Sequence, residues 1–190
     1  MQTALNRDYI SVDDYLAGEE TSDLKHEYVG GNVYAMAGAT TEHNQIAMSI
    51  AFVFRSHVKG KRCRTFMSDV KVQVETAGES SFYYPDVMVG FDSRDTHQLY
   101  LCFPKVLVEV SSESTERLDR GEKRLACQTI ETLEEYLIVA QDRPEVTIFR
   151  KTNRWTPETI AGSGQSVSLK SLDLSLALSA IYEGVSKPGS

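Results

Sequence analysis

The stretch YYPDVMVG, Tyr83–Gly90, sets an aspartate directly after a proline at the mouth of an apolar run. Further on, PKVLVEVSSES, Pro104–Ser114, places Glu109 between Val108 and Val110 in a second such run. Both runs are short, rich in β-branched residues and bounded by turn residues, which reads as two buried strands. A carboxylate inside a buried strand carries a large desolvation cost unless a cation or a metal pairs with it. If the two strands lie antiparallel, the start of one sits beside the end of the other, and Asp86 and Glu109 converge on one point. Hard divalent cations are held in that manner, by one or two carboxylates with retained water.

The rest of the chain frames that pair. Ser11 and Asp14 form a capping box for a short helix, VDDYLAG, with Gly18 as its expected end. KHEYVGGNVYAMAG, Lys25–Gly38, reads as a hairpin about a Gly30-Gly31-Asn32 turn. Thr40 or Thr41 caps a helix to about Val58, with Ile46, Ile50, Val53 and Phe54 at helical spacing and Gly60 as its stop. Val70, Val72 and Val74 alternate with Lys71 and Gln73, which predicts one strand over Arg64–Glu75 with a wet face, followed by a loop at AGESS. After the strands Asp86–Phe91 and Lys105–Ser111 come a helix from roughly Thr115 to Thr129, a strand EEYLIVA and a closing hairpin, EVTIFRK with RWTPETI. LDLSLALSAIYEGV adds a last strand and a short helical end, and SKPGS, 186–190, a loose tail. The expected fold is α/β: one mixed β-sheet flanked by helices, with an N-terminal helix and hairpin, in a single domain over residues 1–185.

Composition narrows the function classes. At 190 residues and 41% hydrophobic, the chain can bury a core of its own. Its apolar runs are too short to span a bilayer, and MQTALNRDYISVDDYL lacks an apolar signal core, so a cytoplasmic protein with no membrane partner is expected. Three cysteines without a CxxC pair suit reduced thiols, and four histidines without ligand spacing argue against structural zinc. A net charge of −7 disfavours non-specific nucleic-acid binding. The charge is uneven, however. RSHVKGKRCR, Arg55–Arg64, holds five Lys or Arg and no acid, and RLDRGEKR, Arg117–Arg124, is locally basic, so a phosphate-binding face on an acidic body is open.

A site of this kind also needs a cation to steady a charged transition state. Ser111 shares the strand face of Glu109 and cannot serve. The following helix offers Lys123, with Asp119 one turn earlier and Arg120 nearby. YPDV followed by VLVEVSS resembles the PD-(D/E)XK nuclease superfamily. More narrowly, HEYVGGNVYAMAG, HNQI, SDVKVQV, YYPDVMV, VEVSSEST, LDRGEKRLACQ and EEYLIVA, in that order, are similar to the Uma-type restriction endonuclease family of bacteria. The likeness covers about Tyr15 to Trp155.

What the resemblance implies is a magnesium-dependent endonuclease, with manganese as a substitute ion, acting on nucleic acid and most simply on DNA. Asp86 and Glu109 would be metal ligands. Lys123 would take the role of the superfamily lysine, moved from strand to helix. Glu27 on the first hairpin corresponds to an acidic residue that joins the site, and Asp69 to the acid of the preceding strand, a further metal ligand. Ser111 stands where the textual motif has lysine.

Each residue also has a plainer reading. Pro-Asp is common turn chemistry, Lys123 can pair with Asp119 along a helix, and Glu27 can make a hairpin salt bridge. Asp69 can sit on a solvated strand face, and His43 and Asn44 can cap or pack at a helix start. A rival function is a non-catalytic nucleic-acid-binding or regulatory module on a nuclease scaffold, favoured by Ser111 and the net charge. A carboxylate-pair glycosidase ranks last, since the chain has one Trp. Cutting both strands of a duplex suits a homodimer, with Phe149, Trp155 and LDLSLALSAIY as the apolar material expected to cover a neighbour.

Overall fold

The structure, a computed structural model, describes residues 9–111 and 119–185. The tail expected at 186–190 and the first residues of the helix expected from Thr115 lie outside them. Helix α1 (Val12–Thr21) starts at Ser11, whose Oγ accepts the Asp14 N–H at 3.1 Å and donates to Asp14 Oδ2 at 2.6 Å. Gly18 does not end it. A glycine inside a helix costs only about 1 kcal/mol. The turn beyond it is anchored by Glu19, which pairs with His26 Nδ1 at 2.7 Å and accepts the Tyr84 hydroxyl at 2.6 Å.

Strands β1 (His26–Val29) and β2 (Asn32–Ala35) pair antiparallel with Val29 opposite Asn32. The two-residue turn between them needs φ values of +51° at Gly30 and +88° at Gly31, a conformation that costs glycine little. A Cβ at Gly31 would also stand 2.2 Å from the Tyr9 ring, so the first described residue is docked on this hairpin.

Helix α2 (Thr41–Val58) follows, capped by Thr40, whose hydroxyl accepts the His43 N–H at 3.2 Å. The stretch expected as one strand is two, β3 (Arg64–Met67) and β4 (Lys71–Thr76), broken at Ser68, where φ is +29°. The AGESS segment is likewise not all loop. Ala77 and Gly78 make the turn, at φ +52° and +85°, and Glu79 opens β5 (Glu79–Tyr83). Next come β6 (Val87–Gly90), a two-residue β7 (Tyr100–Leu101), β8 (Pro104–Ser111) and α3 (Asp119–Cys127). The remainder is β9 (Glu135–Ala140), β10 (Glu145–Arg150), β11 (Pro157–Ala161), the hairpin β12 (Ser166–Leu169) and β13 (Leu174–Ala177), and α4 (Leu178–Ile181).

The fold is mixed α/β with helices against the sheets, as expected, but the break at Ser68 divides the strands between two main sheets. One has the order β2-β1-β5-β4-β7 and the other β11-β10-β9-β8-β6-β3. In the larger sheet β6 pairs antiparallel with β8, and β8 pairs parallel with β9, the connection passing through α3. Such a sheet is covered on both faces, which is why β6 and β8 read as nearly unbroken apolar runs. Val87, Val89, Val106 and Val108 meet Ile46, Ile50, Phe54 and Val58 of α2. Met88 and Leu107, on the opposite face, meet Val72, Val74 and Tyr83 of the smaller sheet, and Cys127 of α3.

The C-terminal apolar segment is spent internally. Phe149, Leu172, Leu176, Leu178 and Ile181 are buried in the chain's own core, so they do not offer the dimer surface expected of them. All three cysteines are free. No helix among the described residues is long and apolar enough to cross a membrane.

Leu137, fully buried at the centre of β9, tests this packing. Leu137→Ala is expected to cost about 2–5 kcal/mol. In urea unfolding this lowers the midpoint at unchanged slope; a change near zero would mean that β9 is not central.

Candidate active site

Asp86 is the last residue before β6, and β6 pairs with β8 so that Val87 faces Val108. One step outward the same register sets Asp86 beside Glu109, as the antiparallel expectation required. Side chains alternate along a strand, so Asp86 shares the face of Met88, and Glu109 the face of Leu107. That face looks toward the smaller sheet, where β1 carries Glu27, and toward α3, which carries Lys123.

The side chains meet through named contacts. Lys123 Nζ lies 2.9 Å from Glu109 Oε1 and 2.8 Å from Glu27 Oε1. It also sits 5.5 Å from the centre of the Tyr83 ring. Glu27 Oε1 accepts the Tyr84 N–H at 3.2 Å. Asp86 is held from two sides: Oδ2 accepts the Val110 N–H at 2.7 Å, and Oδ1 lies 2.8 Å from His43 Nε2. Glu27, Asp86, Glu109 and Lys123 are therefore brought together, and His43 joins them.

Asp69 is not part of this group. It pairs with Lys25 at the surface, its side chain 82% exposed. It lines a separate hollow of about 290 Å³ beside Glu19, Lys71 and Tyr84. The turn at Ser68, which divides β3 from β4, is what takes Asp69 out of the strand face on which it was expected.

Two contributors escaped the reading of the sequence. His43 follows the Thr40 cap by three residues, a position suited to capping or packing, and only the packing of α2 on the larger sheet aims its ring at Asp86. Tyr84 is the other. Its hydroxyl donates to Glu19 and accepts from Lys71 Nζ at 3.1 Å, so the backbone that holds Glu27 is tied down from behind. Burial lowers the Lys71 pKa, and burial followed by the contact with Glu19 raises that of Tyr84.

The electrostatics follow from burial. Desolvation raises the Glu109 pKa to about 7, with Lys123 pulling it down and the neighbouring charge of Asp86 pushing it up. Desolvation works against the charge on Lys123, but Glu109 and Glu27 outweigh it and hold the ammonium pKa above its ordinary range. Lys123 is therefore a cation at neutral pH and cannot take up a proton. Burial pushes the Cys127 thiol up, so this nearby sulfur is no nucleophile.

Three carboxylates thus share one ammonium and one imidazole, an excess of hard anionic oxygen. Among the described residues no three His, Cys, Asp or Glu side chains are gathered closely enough to enclose an ion. The donor set that fits is the pair Asp86 and Glu109, whose carboxylates keep unused lone pairs, with water completing the shell. Magnesium accepts such a set; zinc, which takes three or four protein ligands, does not fit it.

Residues 12–180 match the family described as "Putative restriction endonuclease" (Uma2). An uncharacterized protein of Synechocystis is 34% identical over 179 residues, covering 93% of this chain and 93% of its own. A second Synechocystis protein, also uncharacterized, is 27% identical over 159 residues, or 81% of this chain and 89% of its own. Among solved structures, one titled a putative nuclease belonging to DUF820 from Anabaena variabilis superposes with a TM-score of 0.75. At 19% identity it covers 91% of this chain and 97% of that one, a likeness of fold. The chain therefore belongs to the Uma2 family, the family of "Putative restriction endonuclease" proteins.

Proposed function

We propose that the chain is a magnesium-dependent endonuclease, with manganese as a substitute ion, that hydrolyses phosphodiester bonds in DNA in the cytoplasm. The observation that carries this reading is Asp86 beside Glu109 on paired strands, with Glu109 and Glu27 sharing Lys123, in a chain of this family. Asp86 and Glu109 would hold the ion, which when bound supplies Lewis-acid stabilisation of the phosphate and a more acidic water.

The remaining roles belong to the chain itself. His43 and the Val110 N–H fix the Asp86 carboxylate, so its free lone pairs point one way. Glu27, itself held by the Tyr84 N–H, and Glu109 fix Lys123, whose ammonium donates to the attacking water or to a phosphate oxygen. Because Lys123 stays charged, it orients and stabilises without accepting a proton. In a partly dehydrated site such a preplaced donor is worth far more than in water.

The second reading, a non-catalytic nucleic-acid-binding or regulatory module, draws on one observation: Lys123 is already shared by two glutamates, as a structural ion pair would be. Metal binding and cleavage separate the two. Calorimetry with magnesium or manganese is expected to show a site that Asp86→Ala and Glu109→Ala each abolish. Plasmid and linear DNA are expected to be cut by the wild type in either ion. Lys123→Met should still bind metal at alkaline pH, where Glu109 is ionised, yet cut roughly a hundred- to a thousand-fold more slowly there. Metal binding without cleavage of any nucleic acid gives the second reading, and cleavage by Asp86→Ala at the wild-type rate sinks the first.

The pH dependence follows from Glu109. With its pKa raised to about 7, the folded chain holds this proton below neutrality, and a cation must displace it. Metal affinity should fall by about tenfold per pH unit below 7 and level off above it. Glu109→Gln should bind more weakly and lose that slope. The same shift affects folding in the absence of metal. The folded state binds the proton more tightly than the unfolded state, so stability declines as pH rises from 4.5 through 7. A wild-type urea midpoint that rises relative to Glu109→Gln over that window would contradict the assignment.

A further inference from the structure

Two cationic side chains among the described residues are almost wholly buried, Lys71 and Arg150. Arg150 is paired with Glu135 and Glu158. Lys71, 5% exposed at the start of β4, has no carboxylate within ion-pair distance among the described residues. Its Nζ meets the Tyr84 hydroxyl at 3.1 Å. An unpaired ammonium is costly to bury, and losing its proton relieves the cost. Burial does lower the Lys71 pKa, against the pull of Glu19 and Glu20. Lys25 Nζ faces the same Tyr84 ring, 5.8 Å from its centre against 5.1 Å for Lys71, and one ammonium discourages a second. A desolvated lysine in such a setting is a nucleophile.

Lys71 also has space beside it. With Tyr84 and Glu19 it lines the hollow of about 290 Å³ between the end of α1 and the turn after β3. One water takes about 30 Å³ in the liquid, so the hollow admits a small molecule. Glu20 and Asp23, both exposed, give it an acidic rim that disfavours anions. Behind Lys71 the Tyr84 hydroxyl donates to Glu19 at 2.6 Å, and Glu19 in turn meets His26 Nδ1 at 2.7 Å. The hydroxyl next to the amine is therefore held in place from the far side.

We propose that Lys71 is a covalent capture site for a small uncharged aldehyde, bound in this hollow as an imine with Tyr84 as the proton relay. Nζ adds to the carbonyl carbon; a C–N bond forms and the carbonyl π electrons go to oxygen. A proton then moves from nitrogen to that oxygen, giving a carbinolamine. A second proton makes the same move as the C–O bond breaks, and water leaves. One amine and one aldehyde give one imine and one water, with nothing oxidised or reduced. Nitrogen and oxygen on a shared carbon are badly placed to pass a proton directly. A hydroxyl within reach of the amine accepts from nitrogen and donates to oxygen in turn, without a net change of charge. The capture uses neither Asp86, Glu109 nor Lys123, so it stands apart from the nuclease reading.

Reductive trapping of the wild type tests this directly. Glycolaldehyde is added near stoichiometry at pH 7 with cyanoborohydride, which reduces an imine to a stable secondary amine. Peptide mass mapping then locates the label. A single addition is expected on Lys71, ahead of Lys25, an exposed lysine of the same hollow. Glyoxylate, an anionic aldehyde, should label Lys71 more slowly than glycolaldehyde once each rate is normalised to that with free lysine. Tyr84→Phe keeps the ring and removes the hydroxyl. Labelling of Lys71 should then fall about a hundredfold, while that of Lys25 holds. A wild type in which Lys71 is unlabelled, or labelled after Lys25, overturns the proposal whether or not any variant folds. So does equal labelling of Lys71 in Tyr84→Phe, or a normalised rate with glyoxylate that matches glycolaldehyde. None of these readouts involves metal or nucleic acid, so failure here leaves the nuclease reading untouched.

Discussion

A carboxylate is largely buried, 12% exposed, late in an eight-residue strand, and much of the architecture answers to it. Ionised and alone, Glu109 would cost several kcal/mol. The compensating cation has to come from outside its own strand, because the residue two positions on is Ser111. Lys123 supplies it only because α3, on the connection from β8 to the parallel strand β9, passes over that face of the sheet. Lys123 in turn reaches a second acceptor, Glu27, on the hairpin of the other sheet. One ammonium therefore ties together three parts of the fold that share no hydrogen-bonded ladder.

Much of this was legible in the sequence because the signals were local. The glycine pair of the first hairpin, the threonine cap and helical spacing of α2, and the apolar runs of β6 and β8 each have a short-range cause. The pairing of Asp86 with Glu109 needed one long-range assumption, antiparallel neighbours, and the register bears it out. Lys123 is offered by the helix after Glu109, and only the family likeness gives it a role, since a lysine on an amphipathic helix looks much like any surface lysine.

The misreadings have physical causes as well. The alternation of Val70, Val72 and Val74 starts within the turn after Ser68 and runs into β4, so periodicity could not show that the chain changes sheet there. Glycine ends helices in many settings, but Glu19 after Gly18 is anchored by His26 and by Tyr84, the latter 65 positions away. His43 belongs to the same class: its ring meets Asp86 across 43 positions. The C-terminal apolar segment looked available for a neighbour because no local signal distinguishes a strand that closes its own core from one that seeks another.

The ion pair between Lys123 and Glu27 spans 96 positions in the chain, against 14 for the pair with Glu109. Loops of such unequal length close at different entropic cost, and contacts of wide separation form late. The carboxylate–ammonium pair within the β8–α3 unit can assemble on its own, while the complete constellation requires the first hairpin to dock on a sheet finished long afterwards. During synthesis, which proceeds from the N-terminus, Glu27 waits for nearly a hundred further residues before its cation exists. The charged group as a whole is thus a property of the completed fold, and a truncated or half-folded chain carries only fragments of it.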